Sequence, residues 1–175
     1  MHPARAVFLL FALVVSISCV GDDAVYAAPP PAPMHQDLAS LVQAAPLIIV
    51  GQVVDMQRGQ IAGEGEAQLQ FNDVHVGVER RLKGEPPDPL IVEQVAVAGR
   101  VLTPAVGPPY KRGERYVLFL RKGEGRRHIT LTQGRYLLQG GSVHPTEPGL
   151  AADKMKGMDE AKLIEEIAAI VQGRR

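Results

Sequence analysis

Nucleophilic side chains are few once the first 27 residues are set aside. Only two serines, Ser40 and Ser142, and no cysteine follow that point. Ser142 lies two residues before His144, and residues two apart in an extended segment point to the same side. A serine-based catalytic centre also needs a supporting context such as a Gly-x-Ser-x-Gly elbow, which is absent around Ser142. The pattern favours a glycine-rich turn followed by a surface strand, so we expect no catalytic residue and no enzyme.

Asp73 and His75 are the second candidate for chemistry. They stand two residues apart and would share a strand face, with His128 or His144 reaching in from another strand. Zinc takes three or four such ligands at about 2 Å, so the pair alone is too small a set. A metal-dependent hydrolase built on Asp73 and His75 is one alternative. A solvent-facing histidine fits the pattern better, and we expect neither a metal nor another cofactor.

Basic residues are concentrated between Lys111 and Arg127, where seven Lys and Arg stand against two Glu. Tyr110 and Tyr116 interleave with them, and surfaces that combine cations with aromatic rings bind anionic chains. A solvated turn rich in charge is the simpler interpretation. The formal net charge of the chain is +0, so no general attraction to nucleic acid or membrane is expected. The predicted ligand-binding residues are Arg112, Arg115, Arg121, Lys122, Arg126 and Arg127.

The N-terminus has the pattern of a secretion signal peptide. A basic residue precedes an apolar run over residues 6–17, which is shorter than the about 20 residues that span a bilayer. Cleavage after Ala27 would release a free protein into the periplasm or the medium. Alternatively, the segment ending at Cys19 resembles a lipobox with Ser16 in place of the usual Leu, and Cys19 would then be lipidated, making a membrane-anchored lipoprotein. Cys19 is the only cysteine, so no intramolecular disulfide can form.

The region after the signal begins with a proline-rich segment, residues 28–34, that predicts a semi-rigid spacer. Leu38, Leu41, Val42 and Ala45 then recur at helical spacing, and a proline at position 46 ends the predicted short helix. Five strands follow, separated by Gly- and Pro-rich turns. They are predicted at Leu47–Asp55, from Leu69 onward, at Leu90–Val97, at Tyr116–Leu120, and in two halves at Ile129–Leu131 and Tyr136–Leu138.

The second predicted strand changes the phase of its alternation. Leu69 and Phe71 fall on odd positions, whereas Val74 and Val76 fall on even ones. Since side chains alternate with period two, one face stays apolar only if a residue is inserted, which predicts a β-bulge near residues 72–73. The fourth strand is apolar on both faces, which predicts a central position.

The chain ends in an amphipathic helical pattern. Asp159 is the expected N-cap and Gly173 the expected stop. Short bent strands followed by a terminal helix predict a mainly β fold, a small five-stranded OB-like barrel with a short N-terminal helix and a C-terminal amphipathic helix. A β-sandwich is the alternative. The apolar stripe of the last helix comprises Leu163, Ile164, Ile167, Ile170 and Val171.

Three segments of this region resemble the landmarks of netrin/TIMP-like OB-fold domains, a pattern shared by secreted bacterial proteins. They are Ala45–Val54 (APLIIVGQVV), Val78–Gly84 (VERRLKG) and Gly113–Leu120 (GERYVLFL), within residues 38–140. The resemblance implies the OB fold and adds a protease-inhibitor-like module as a further alternative. Metalloproteinase inhibitors of this fold use an N-terminal cysteine tied into disulfides. Here no cysteine remains after cleavage at Ala27, and a lipidated Cys19 would have its amine or thiol blocked, so that route of inhibition is not implied.

The predicted organisation is therefore a signal over residues 1–27, a spacer over 28–34, an OB-like domain over 35–150 and a C-terminal helix over 151–175 packed on the barrel. The function expected from this organisation is that of an exported, non-enzymatic envelope module. Its partner would be a protein or an anionic envelope polymer.

Overall fold

The computed structural model describes residues 34–62, 69–97 and 107–174. The predicted signal at 1–27 with Cys19, and all but the last residue of the spacer, lie outside the described residues. Within these ranges no helix is long and apolar enough to cross a membrane. The elements are α1 Leu38–Ala44, β1 Leu47–Ala62, β2 Leu69–Lys83, β3 Leu90–Val97, β4 Arg115–Lys122, β5 Arg127–Gln139, β6 Ser142–Pro145, α2 Leu150–Met155 and α3 Glu160–Val171.

The strands form one sheet that closes into a ring. β1 pairs antiparallel with β2 and with β4, β2 continues to β3, and β4 continues to β5. A short parallel pairing between β3 and β5, which includes Ile91 with Arg127, completes the ring β1-β2-β3-β5-β4. A small closed ring of five strands is the architecture of an OB barrel, so the predicted mainly β, OB-like fold is confirmed.

The sheet contains six strands in the described ranges rather than the five predicted. β6 pairs with β5 outside the ring, where the sequence had indicated only a surface strand after a turn. β5 is a single strand with an irregular centre between its two predicted halves. Its register with β4 jumps from Thr130 opposite Leu120 to Arg135 opposite Leu118, and the residues between include Gln133 at a φ of 60°.

The predicted insertion of a residue into β2 near residues 72–73 is wrong, because both residues pair in register with β1 and with β3. The ladder is nevertheless irregular directly beside them, since Arg58 lies opposite Asn72 and Ile61 opposite Gln70, and the extra residue there lies on β1. The change of phase arises because the apolar residues of β2 pass from its outer face to its inner face along the strand. Val74 and Val76 point into the barrel, whereas Phe71 lies half-buried on the outer face, so no inserted residue is needed.

Two apolar layers stabilise the domain. Alternate residues of β1 and β4 point inward, for example Ile49 and Leu118, into a barrel core that also receives Tyr116 from β4. The residues between them, such as Ile48 and Phe119, point outward against the helices. β4 is therefore apolar on both faces because it lies between two cores, and its predicted central position is confirmed.

Helices α1 and α3 lie where the sequence predicts them, whereas α2 was not predicted. Asp37 caps α1, accepting a hydrogen bond from the backbone N–H of Ser40 at 2.8 Å. The C-terminal segment holds two helices, α2 and α3, rather than one. Asp159 caps α3 as predicted, and Gly173 ends it at a φ of 68°, where only glycine avoids strain.

Candidate functional site

The predicted basic residues do not form one surface. Arg112 precedes β4 and Arg115 is its first residue, whereas Arg121 and Lys122 are its last two and Arg126 lies in the following turn. Seven steps along a strand, at about 3.3 Å each, separate the ends of β4 by about 23 Å. The structure thus divides the predicted set into two groups at opposite ends of the barrel.

Arg115 joins β4 to β2 and α3. Its guanidinium donates to Glu79 at 2.8 and 3.0 Å and to Glu160 at 3.1 and 3.3 Å. These hydrogen bonds raise the pKa of Arg115 above its ordinary value. With two carboxylates on one guanidinium, Arg115 fixes the helix on the sheet and has little charge left for a ligand.

Arg127 is likewise committed to a carboxylate. Its Nε and Nη2 donate to the two oxygens of Asp73 at 2.7 and 3.1 Å, and both side chains are about four-fifths buried, with exposed fractions of 22% and 20%. This bond with Asp73 raises the pKa of Arg127. An open cavity of about 370 Å³ beside the pair is lined by Asp73, Ile91, Glu124, Gly125, Arg126 and Arg127.

The candidate metal ligands do not converge. Both oxygens of Asp73 are engaged by Arg127, and His128 is in register with Val92 of the barrel interior, on the face opposite to Asp73 and His75. Burial lowers the pKa of His128. The described part of the chain contains no group of three or more His, Cys, Asp or Glu arranged to hold a metal ion.

The other predicted pair, Ser142 and His144, lies on β6. Ser142 forms an isolated bridge with Asp159, and His144 is exposed, in register with Leu137 of β5. The structure gives no hydrogen bond between these two side chains among its described contacts. Ser142 and His144 therefore lie on a surface strand, which is the simpler of the two interpretations of the sequence.

A buried polar cluster that sequence reasoning missed lies around Arg135. This side chain is 3% exposed and stacks on Tyr110 at 4.3 Å from the ring centre. Its Nε donates to Thr146 Oγ1 at 2.8 Å and its Nη2 to the carbonyl of Pro108 at 2.6 Å. Tyr110 in turn contacts the hydroxyl of Thr130 at 3.0 Å. The cluster ties the segment before β4 to β5 and β6.

Tyr110 and Tyr116, which the sequence placed among the cations, belong to this buried region. They are 4% and 3% exposed and pack edge to face with ring centres 5.1 Å apart. Burial of this depth leaves neither ring open for a ligand to stack on. The sequence feature that could have indicated the burial of Tyr110 is the glycine at 107 followed by two prolines. A rigid turn directly before an aromatic residue positions its ring against the barrel.

Glu147 lies next to the cluster and accepts a hydrogen bond from the backbone N–H of Gln133 at 2.6 Å. Burial raises the pKa of Glu147 despite that bond and the charge of Arg135. A small cavity of about 130 Å³ borders these residues. The hydrogen bond between Gln133 and Glu147 holds the irregular centre of β5 in place.

Comparison with known proteins adds no family to this description. No protein-family model matches the sequence, and no curated protein is significantly similar to it.

Proposed function

We propose that the chain is an exported, non-enzymatic binding module of the cell envelope, whose ligand is a protein partner or an anionic polymer. The ligand contacts the tip of the β4–β5 hairpin through Arg121, Lys122 and Arg126. The observation that carries the proposal is the state of these three cations. They are exposed and form no ion pair with a described carboxylate, whereas Arg115 and Arg127 are neutralised by partners.

The engagement of Asp73 supports a binding role over metal-dependent hydrolysis. A carboxylate whose two oxygens accept hydrogen bonds from a guanidinium would have to release it before ligating a metal. Metal analysis of the purified protein tests this directly. Stoichiometric zinc, manganese or iron that is lost in an Asp73→Asn variant would contradict the proposed function.

Export and membrane attachment are part of the same proposal. The signal-peptide pattern over residues 1–27 supports export, and Cys19 is the residue that a lipid would modify. Mass spectrometry of the mature N-terminus distinguishes the two forms: a diacylglycerol adduct on Cys19 identifies a lipoprotein, and a chain starting at Ala28 identifies a free protein. The closed strand order supports the proposed kinship with netrin/TIMP-like OB domains, for which fold alone supplies no function.

The binding proposal is tested by capture from an envelope fraction. A hairpin variant carrying Arg121→Ala, Lys122→Ala and Arg126→Ala should lose the ligand that the unmodified protein retains. Arg127 is left intact because its removal would disturb Asp73 and the ring closure. A control variant, Lys111→Ala, removes an exposed cation before β4 that lies 3.9 Å from the carboxylate of Glu114. Equal capture by the hairpin variant and the unmodified protein would exclude the hairpin as the contact.

A further inference from the structure

We infer that the ligand is an anionic polymer and that it is held by two strand ends together, not by the hairpin alone. This inference rests on the proposed binding function and specifies its ligand and its surface. We call this surface the cationic rim. It comprises Arg80, Arg81 and Lys83 at the end of β2 and Arg121, Lys122 and Arg126 at the β4–β5 hairpin.

The strand topology brings these two groups of cations together. β2 and β4 both run antiparallel to β1, so both end where β1 begins. Ile48 of β1 pairs with Lys83 on one side and with Phe119 on the other. The order β2-β1-β4-β5 places the rim across three strand spacings, about 14 Å. Cations some forty residues apart in sequence are therefore neighbours on the barrel.

Register also places part of the rim on a single face of the sheet. Arg80 pairs with Val50 and Lys83 with Ile48, and both of these β1 residues point outward into the helix-facing layer. Arg121 lies two residues beyond the last outward-facing position of β4, so it points to the same side. Three guanidinium or ammonium groups thus project from one surface.

The rim keeps most of its charge available. Arg80, Arg121, Lys122 and Arg126 are exposed, and none of them pairs with a carboxylate of the described chain. Arg81 pairs with Glu85, but the two side chains are 56% and 81% exposed, and pairs of this kind contribute little and exchange readily.

The ammonium of Lys83 donates to the carbonyl of Val42 at 2.7 Å, which anchors the rim to the end of α1. A carbonyl does not neutralise the ammonium, so this contact fixes the position of the charge without removing it. Lys83 is thereby the most firmly held cation of the rim.

The lack of an apolar anchor among the rim side chains favours a polymer over a protein partner. The centre of a stable protein interface is built on aromatic or aliphatic side chains that fill pockets, with charges at the periphery. None of the large apolar side chains exposed in the described ranges belongs to the rim. A cavity of about 600 Å³ bordered by α1, α2 and α3 includes Lys83 in its lining beside apolar residues such as Val42 and Met155, but none of the other five rim cations lines it. A flexible chain of repeated phosphates or carboxylates needs no such anchor, because it pairs with successive cations and releases its counterions.

The experiment compares three double charge reversals that change the net charge equally. The probes are fluorescent inorganic polyphosphate and poly-L-glutamate, which separate phosphate from carboxylate polymers, and binding is measured by anisotropy over a range of salt concentrations. Retained unfolding midpoints show that each variant is folded. The variants are Arg80→Glu with Arg81→Glu on β2, Arg121→Glu with Lys122→Glu on the hairpin, and Arg58→Glu with Lys111→Glu as a control outside the rim.

The β2 and hairpin variants should each lose at least about tenfold in affinity for one of the polymers, and the control variant less than about twofold. A plot of the logarithm of the binding constant against the logarithm of the salt concentration should have a slope near −4 for the unmodified protein, since each of the six cations contributes about −0.7. Each rim variant should make this slope less steep by about 1.4 or more.

The failures are distinguishable. A β2 variant that binds like the control, beside a weakened hairpin variant, would overturn the rim and leave the proposed function standing. Lack of binding to both polymers, with a protein captured through the hairpin, would overturn the polymer and again leave the proposed function. Binding to vesicles of anionic lipid without binding to either soluble polymer would likewise refute the inference. Unchanged polymer binding in both rim variants, together with unchanged capture from the envelope fraction, would remove both proposals.

Discussion

Removal of the Arg127–Asp73 ion pair should loosen the barrel at its weakest seam. The pairing of β3 with β5 that closes the ring covers three residue pairs, from Ile91 with Arg127 to Glu93 with Ile129. Arg127 begins β5 and reaches across β3 to Asp73 on β2, so its side chain spans the seam. The pair thus adds a side-chain connection where few backbone hydrogen bonds are available.

The two single variants should differ in cost. In Arg127→Gln, Asp73 is left directly opposite Glu93 in the antiparallel register of β2 and β3, and like charges in that position repel. In Asp73→Asn, Arg127 keeps the favourable charges of Glu93 and Glu124 nearby. We therefore expect Arg127→Gln to lower the free energy of unfolding by about 2 kcal/mol and Asp73→Asn by about 1 kcal/mol.

A double-mutant cycle measured by urea unfolding at neutral pH isolates the pair. Exposed ion pairs contribute about 0.2–1 kcal/mol, and bonds to charged groups that are mostly buried contribute about 1.5–3 kcal/mol, so a coupling energy of about 1–1.5 kcal/mol is expected. Because the pair is about four-fifths buried, added salt should weaken this coupling only slightly. A coupling energy below about 0.3 kcal/mol, or a larger loss in Asp73→Asn than in Arg127→Gln, would refute the reasoning.

Three further predictions concern one buried and two partly buried residues. Tyr136 is 0% exposed and its hydroxyl has no partner in the described chain, so Tyr136→Phe should leave the free energy of unfolding unchanged or raise it by about 1 kcal/mol, and a clear loss in urea unfolding would show a hidden partner. Gly149→Ala should cost about 2 kcal/mol or more, because the new methyl group would overlap the Gln133 side chain and the φ of 149° suits only glycine; an unshifted thermal midpoint would contradict this. Glu147 has a folded-state pKa raised above its ordinary 4.5, so the folded chain binds more protons there and stability should fall as pH rises from that value through the raised pKa. The Glu147→Gln variant should lack this pH dependence. The prediction would be disproved if the difference in free energy of unfolding between the variant and the unmodified protein stayed constant with pH.

The elements that could be predicted from the sequence are those fixed by local pattern. The helix beginning after Asp37, the strand Leu90–Val97 and the cap at Asp159 depend on periodicity and capping within a few residues, and the structure agrees with each. The irregular centre of β5 was visible as a gap between two apolar segments. The number of strands in the sheet could not be predicted, because β6 is four residues long and belongs to the sheet only through its pairing with β5.

The buried polar cluster could not be predicted because its members come from separate segments. Arg135 lies in the gap before the second half of the predicted fifth strand, and only the approach of Tyr110 and Thr146 from two loops gives it a buried, hydrogen-bonded environment. A lone arginine in a strand normally faces solvent. The cost of burying this charge is offset by contacts that no local pattern records.

The division of the basic stretch follows from strand geometry and could have been deduced once a ring of this order was assumed. A segment that is continuous in sequence places its first and last cations at opposite ends of the barrel if a full strand lies between them, as β4 does between Arg115 and Lys122. Conversely, every strand antiparallel to β1 delivers its last residues to the same end. A charge cluster in a small β-barrel is therefore better sought among residues that share a strand end, such as Arg80 and Arg121, than among residues adjacent along the chain.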